Sequence, residues 1–125
     1  MTPPPLPTLP ILDAIFAGVP DAMLVVDVAG RIVLANSAAA TLFGYARSEL
    51  VGLDVDELVP EAQRERHAQE REAFRRSAAS GAMSPGRQLR ARRNDGRLVP
   101  VDISLSTIPL AEGTFVLAIA RDVAP

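Results

Sequence analysis

Between Leu98 and Thr107 the chain reads LVPVDISLST, with an apolar residue at every second position. Val99, Val101, Ile103 and Leu105 alternate with Pro100, Asp102, Ser104 and Ser106. A two-residue repeat puts one set on each face of a strand, one buried and one wet. Such a strand needs partners beside it and a cover over its apolar side, so it commits the chain to a layered fold. At 125 residues, the chain is the size of one domain and long enough to bury a core.

The partners are legible on both sides. Arg87–Arg93 reads as a strand joined to Leu98–Thr107 by NDG, a tight-turn signal. Thr114–Arg121 reads as a last strand after the PLAEG turn, with Phe115, Leu117 and Ile119 on one side and Val116, Ala118 and Ala120 on the other. Both of its faces are therefore expected to be covered, the outer one by an amphipathic helix over Ile11–Val19 or by a second subunit. An earlier hairpin is predicted from Met23–Val28 and Arg31–Ala35 around Ala29-Gly30.

Helical signals fill the middle. Asn36 is a good N-cap for SAAATLF, and Gly44 is placed to stop that helix in the left-handed conformation. Ser48-Glu49 start a short turn closed by Gly52, and Asp54–Val59 form a third small piece. Glu61–Ser80 is the longest candidate helix, with Pro60 just ahead of it and Gly81 just past its end. GAMSPG (81–86) is a loop. Five prolines between residues 2 and 10 make 1–10 a proline-rich linker, leaving 11–125 as the domain. The order of elements predicts an α+β fold, with two hairpin-like blocks joined in one five-stranded antiparallel sheet.

Composition excludes several kinds of chemistry. There is no cysteine, hence no disulfide, thiolate nucleophile, cysteine-ligated metal or flavin–cysteine photoadduct. Asp27 and Asp102 have no third ligand near them in sequence, so no metal site is expected. Asp102 and Ser104 point together to the wet face, and nothing marks Ser104 as a nucleophile beside the distant His67. The arginines at 87, 90, 92, 93 and 97 split between two faces without interleaved aromatics, and the net charge is −2, so no direct nucleic-acid contact is expected. No apolar run is long enough to span a bilayer, and MTPPPLPTLP has neither the charged start nor the apolar core of a secretory signal. These features lead to the expectation of a cytoplasmic, non-enzymatic domain that makes no membrane contact.

Over most of its length, the chain resembles the PAS (Per-Arnt-Sim) sensory family. The resemblance rests on PDAMLVVDVAGRIVLANSAAATLFGYARSELVG, with its Asp-x-x-Gly hairpin, Asn36, and Phe43-Gly44-Tyr45 ahead of Glu49-Leu50-Val51-Gly52. RRNDGRLVPVDISLS and the terminal RDVA continue the match, with Ala124 where the family usually has threonine. The resemblance implies a PAS fold with helices on one sheet face, an N-terminal amphipathic helix and a small apolar pocket between the layers. It also implies a signal-input module, working as a homodimer and wired to a kinase, cyclase, phosphatase or DNA-binding output outside this chain. On that template the pocket is expected to be lined by Val26, Leu42, Phe43, Phe74, Val101, Ile103, Leu105 and Ala118, with Met83 at its edge.

The only histidine lies in VPEAQRERHAQEREAF. VPEAQRERH is similar to the segment of bacterial oxygen-sensing histidine kinases in which the histidine ligates haem iron. The same resemblance puts Arg87 where those sensors place an arginine that hydrogen-bonds the gas, and Ile103, Leu105 and Ala118 in their distal pocket. His67 and Phe74 share one helical face, and neutral imidazole is a competent iron ligand. Flanking Arg66, Glu70 and Arg71 equally suit a solvated helix edge on which His67 is one more polar group. Three readings stay open: a sensor of a small apolar molecule, a haem gas sensor through His67 and Arg87, and a cofactor-free dimerisation module.

Overall fold

The computed structural model describes residues 8–77 and 87–123. In chain order these are α1 (Thr8–Gly18), β1 (Ala22–Val26), β2 (Ile32–Ala35), α2 (Ser37–Phe43) and α3 (Arg47–Leu50), then two 3-10 turns at Val55–Leu58 and Glu61–Gln63. After these come α4 (Arg64–Ser77), β3 (Arg87–Arg92), β4 (Leu98–Leu110) and β5 (Gly113–Asp122). Thr8 to Pro10 of the proline-rich stretch form the first turn of α1, where a proline lacks no hydrogen bond that the helix needs. The long helix is predicted as one piece from Glu61, but its first three residues form a separate 3-10 turn. Residues 78–86, including the predicted GAMSPG loop, lie outside the described part.

The strands form one antiparallel sheet in the order β2-β1-β5-β4-β3. The first hairpin and the last three strands thus share one sheet, as the element order predicts, and the join is made by β1 pairing with β5. The registers Leu24↔Ala118↔Leu105 and Ala22↔Ala120↔Ile103 define rows across the inner face. Leu24, Val26, Ile32, Ala39, Phe43, Leu50, Leu58, Ala91, Val101 and Ala120 make the buried core between that face and the helices. Small residues at 118 and 120 leave room for larger neighbours, which is how a sheet interdigitates with a helical layer.

Asn36 holds the first hairpin to the helices. It is fully buried and is the N-cap of α2. Its Oδ1 accepts from Ala39 N and from Met23 N, each at 2.9 Å, and its Nδ2 donates to the Asp21 carbonyl at 3.0 Å. One side chain therefore satisfies a helix end and a strand start that burial would otherwise leave unpaired.

The other end of α2 is held from the β3–β4 hairpin. Arg93 Nη1 donates to the carbonyls of Leu42 at 2.6 Å and Thr41 at 3.3 Å. Asn94 donates from its backbone to Phe43 O at 2.9 Å and from Nδ2 to Gly44 O at 3.3 Å. Gly44 has φ of 76°, and a Cβ there would lie 3.2 Å from Arg93 Nη2. Glycine is needed both for the left-handed turn and for the approach of the guanidinium.

The expected cover of the outer sheet face is not supplied by α1. Ile11, Leu12 and Ile15 of that helix are exposed by 54%, 52% and 58%. Phe115, Leu117 and Ile119 on the outer face are only half-buried. The helix touches α2 instead, so its apolar stripe stays exposed and the outer face half-covered within one chain.

Replacing Asn36 with alanine removes a helix cap and strands one buried donor, Ala39 N, and one half-buried donor, Met23 N. The expected loss is about 2–4 kcal/mol from the cap and the orphaned groups together. Urea denaturation checks this, with the midpoint falling and the slope unchanged.

Candidate functional site

The helix α4 crosses the inner side of the sheet behind the Val55–Leu58 turn. Arg64, His67, Ala68, Glu72 and Phe74 are its half-buried residues, spaced as one stripe, whereas Arg66 and Glu70 are exposed and pair with each other at 2.9 Å. His67 therefore stands on the sheltered stripe of the helix, not on its solvated edge. Its Nδ1 lies 2.6 Å from Asp56 Oδ1, with side-chain exposures of 32% for His67 and 18% for Asp56.

The local sequence places Asp56 there. Asp54 caps the 3-10 turn by accepting from Asp56 N at 2.9 Å, which sets Asp56 in the first turn with its side chain toward α4. Arg64 Nε donates to Val59 O at 3.1 Å and its guanidinium lies 3.8 Å from Glu57. These contacts pin the start of α4 to the turn before it. A carboxylate oxygen can only accept, so the short contact puts the imidazole proton on Nδ1. Nε2 has no partner among the described residues.

Of the predicted pocket residues, Val26, Phe43 and Val101 are fully buried members of the core. Ile103, Leu105 and Ala118 on the inner face, and Phe74 on α4, are half-buried. Leu42 lines a cleft of about 480 Å³ at the rim of the sheet, with Asp21, Thr41, Arg93, Ala120 and Arg121. Met83 lies outside the described residues. Arg87 opens β3, and its backbone register is opposite Ile103.

A second cleft, of about 220 Å³, brings Asp21, Asp102, Ser104, Ile119 and Arg121 together on the outer face. Asp102 and Ser104 are thus on the opposite side of the sheet from His67, and the three form no triad. Among the described residues, no group of three histidine, aspartate or glutamate side chains is placed to hold a metal ion, and no helix is long and apolar enough to cross a membrane. Two residues that matter to this geometry were missed in the sequence reading. Asp56 lies eleven positions from His67 with no periodic signal linking them, and Arg93 sits inside an arginine run whose alternation singles out none of its members.

An antiparallel sheet of order 2-1-5-4-3, with short helices and one long helix across a single face, is the architecture of a sensory-module class. The match to the PAS fold model covers residues 11–123, and the chain belongs to the PAS family. It is 32% identical over 111 residues to the sensor protein FixL of Bradyrhizobium diazoefficiens, which covers 89% of this chain and 22% of FixL. It is 27% identical over 92 residues to the oxygen sensor protein DosP of Escherichia coli, covering 74% of this chain and 12% of DosP. The chain thus spans less than a quarter of these relatives' lengths. Among solved structures, the PAS domain of an HTR-like protein from Haloarcula marismortui aligns with a TM-score of 0.77 at 26% identity, covering 93% of this chain and 92% of that one.

The Asp21–Arg121 contact, 3.4 Å between Arg121 Nη2 and Asp21 Oδ2, ties the start of β1 to the end of β5. Arg121 is largely exposed there. Arg121→Ala is expected to change stability by less than about 0.5 kcal/mol, as exposed pairs do. Chemical denaturation of the two proteins side by side checks it.

Proposed function

We propose that this chain is the ligand-sensing input module of a larger signalling protein. Its cue is a small, largely apolar molecule held between α4 and the inner sheet face. The observation that carries this is a step in burial along that face. Leu24, Val26 and Val101 are sealed, while Ile103, Leu105 and Ala118 beside them are only half-covered. Apolar side chains at a layer interface are stabilised by whatever fills the remaining space. Occupancy shifts the strand packing, and β5 carries the change past Arg121 toward a following domain. The role is sensory rather than catalytic, and the setting is cytoplasmic.

Native mass spectrometry of gently purified protein tests this reading. A bound small molecule, lost when Leu105 is changed to Trp to fill the space, supports it. A chain that is empty as isolated, and whose thermal midpoint responds to no member of an apolar metabolite panel, overturns it.

A second reading is favoured by His67. The imidazole is sheltered, its Nδ1 is engaged and its Nε2 has no partner among the described residues, which is the donor arrangement an axial haem ligand needs. Half-buried Ile103, Leu105, Ala118 and Phe74 suit the apolar side of such a group. His67 would hold the iron, Arg87 would serve the gas ligand, and haem would supply an iron that binds a diatomic gas reversibly. The likeness to FixL and to the oxygen sensor DosP supports this reading. Titration with hemin is expected to give a Soret band that His67→Ala loses. Colourless protein that ignores hemin retires it.

The module is proposed to act as a two-fold homodimer through α1, whose apolar residues are exposed, and the outer sheet face, whose apolar residues are half-buried. Ile15→Asp is expected to shift the protein from dimer to monomer in light scattering. A wild-type chain that is already monomeric at high concentration overturns this.

A further inference from the structure

We infer that Asp56 is the positioning residue for an iron-ligating His67: it accepts the Nδ1 proton, fixes the tautomer and leaves the Nε2 lone pair for the metal. The inference rests on the haem reading above and adds a residue to it.

The argument starts from imidazole chemistry. One nitrogen of a neutral ring carries the proton and the other the lone pair, and free histidine favours the proton on Nε2, the wrong form for a ligand through that atom. A carboxylate 2.6 Å from Nδ1 reverses the preference, because only an N–H at that position makes the contact attractive. The ring cannot then turn over without losing the bond. The carboxylate also makes the ring a stronger electron donor, as carboxylate–histidine–metal arrangements do.

A merely structural contact would not need this construction. Asp56 is itself set by Asp54, and the beginning of α4 is already pinned to the same turn through Arg64 and Val59. The Asp56–His67 bond is therefore not required to fasten the helix. What it alone determines is which imidazole nitrogen is left open, and that nitrogen belongs to a residue on the sheltered stripe of α4.

The single histidine makes the test direct. In the hemin-free chain at pH 8, nitrogen NMR is expected to show His67 protonated on Nδ1. Asp56→Ala is expected to restore the Nε2-protonated form, and Asp56→Asn, which keeps the side-chain volume, to give a mixture. Hemin affinity should fall by about 10–100-fold in Asp56→Ala. The iron–histidine stretching frequency of the reduced complex should fall with it, in resonance Raman spectra. An unchanged tautomer, or hemin affinity and stretching frequency the same in wild type and both variants, overturns the role of Asp56 alone. Wild-type protein that takes up no hemin overturns the haem reading and the role of Asp56 together. If Asp56→Ala fails to fold, Asp56→Asn decides the outcome by the same three measurements.

Discussion

The pairing of β1 with β5 is the constraint on which the rest of this structure depends. It brings the first hairpin of the chain against its last strand, closes the sheet in the order 2-1-5-4-3, and creates the inner face over which the helices lie. Long-range pairing of this kind has an entropic cost that local hydrogen bonds do not recover. The compensation is apolar: Leu24 and Val26 from β1 meet Ala118 and Val116 from β5 in register, and Leu50, Leu58 and Phe43 cover them. Without that pairing, α2 and α4 would have nothing to bury against.

The helix α2 is fastened at both ends by side chains from elsewhere in the chain. Asn36 ties its start to β1, and Arg93 with Asn94 ties its end to the β3–β4 hairpin. A helix of seven residues has almost no stability of its own, so these polar contacts substitute for length. They also connect the hairpin, α2 and the rim cleft into one hydrogen-bonded unit. α4 is held differently: it is pinned at its start to the preceding turn and lies over an inner face that is incompletely sealed around Ile103, Leu105 and Ala118. The layer is thus fastened tightly on one side and more loosely covered on the other.

Much of the architecture was readable in advance because strand alternation and turn residues are local signals. The period-two pattern of Val99 to Leu105 matches the inner face of β4, and Asn36 and Gly44 bound α2 where capping chemistry puts them. The candidate site was less legible. His67 stood out as the sole histidine and through the likeness of its segment to that of oxygen-sensing kinases, but its flanking charges fit a sheltered or a wet position equally well. The turn at Val55–Leu58 decides between them by bringing Asp56 to Nδ1, a contact that no helical or strand period encodes. Of the two covers expected for the outer face, α1 is not the one found within a single chain, for a related reason. Its apolar spacing predicts a buried face, but spacing does not say which surface a helix meets, and here Ile11, Leu12 and Ile15 stay open.

By itself, the sequence determined the kinds and order of the elements, the turns between them and the apolar face of each strand, since these follow from backbone preference and side-chain periodicity over a few residues. Its motifs, taken together, also pointed to the family. Only the tertiary structure decided that Asp56 faces His67, that Arg93 closes the end of α2, and that α1 leaves the outer sheet face half-covered. Each of these joins residues remote in sequence or in element, and their meeting depends on how the layers settle to fill space rather than on any pattern along the chain.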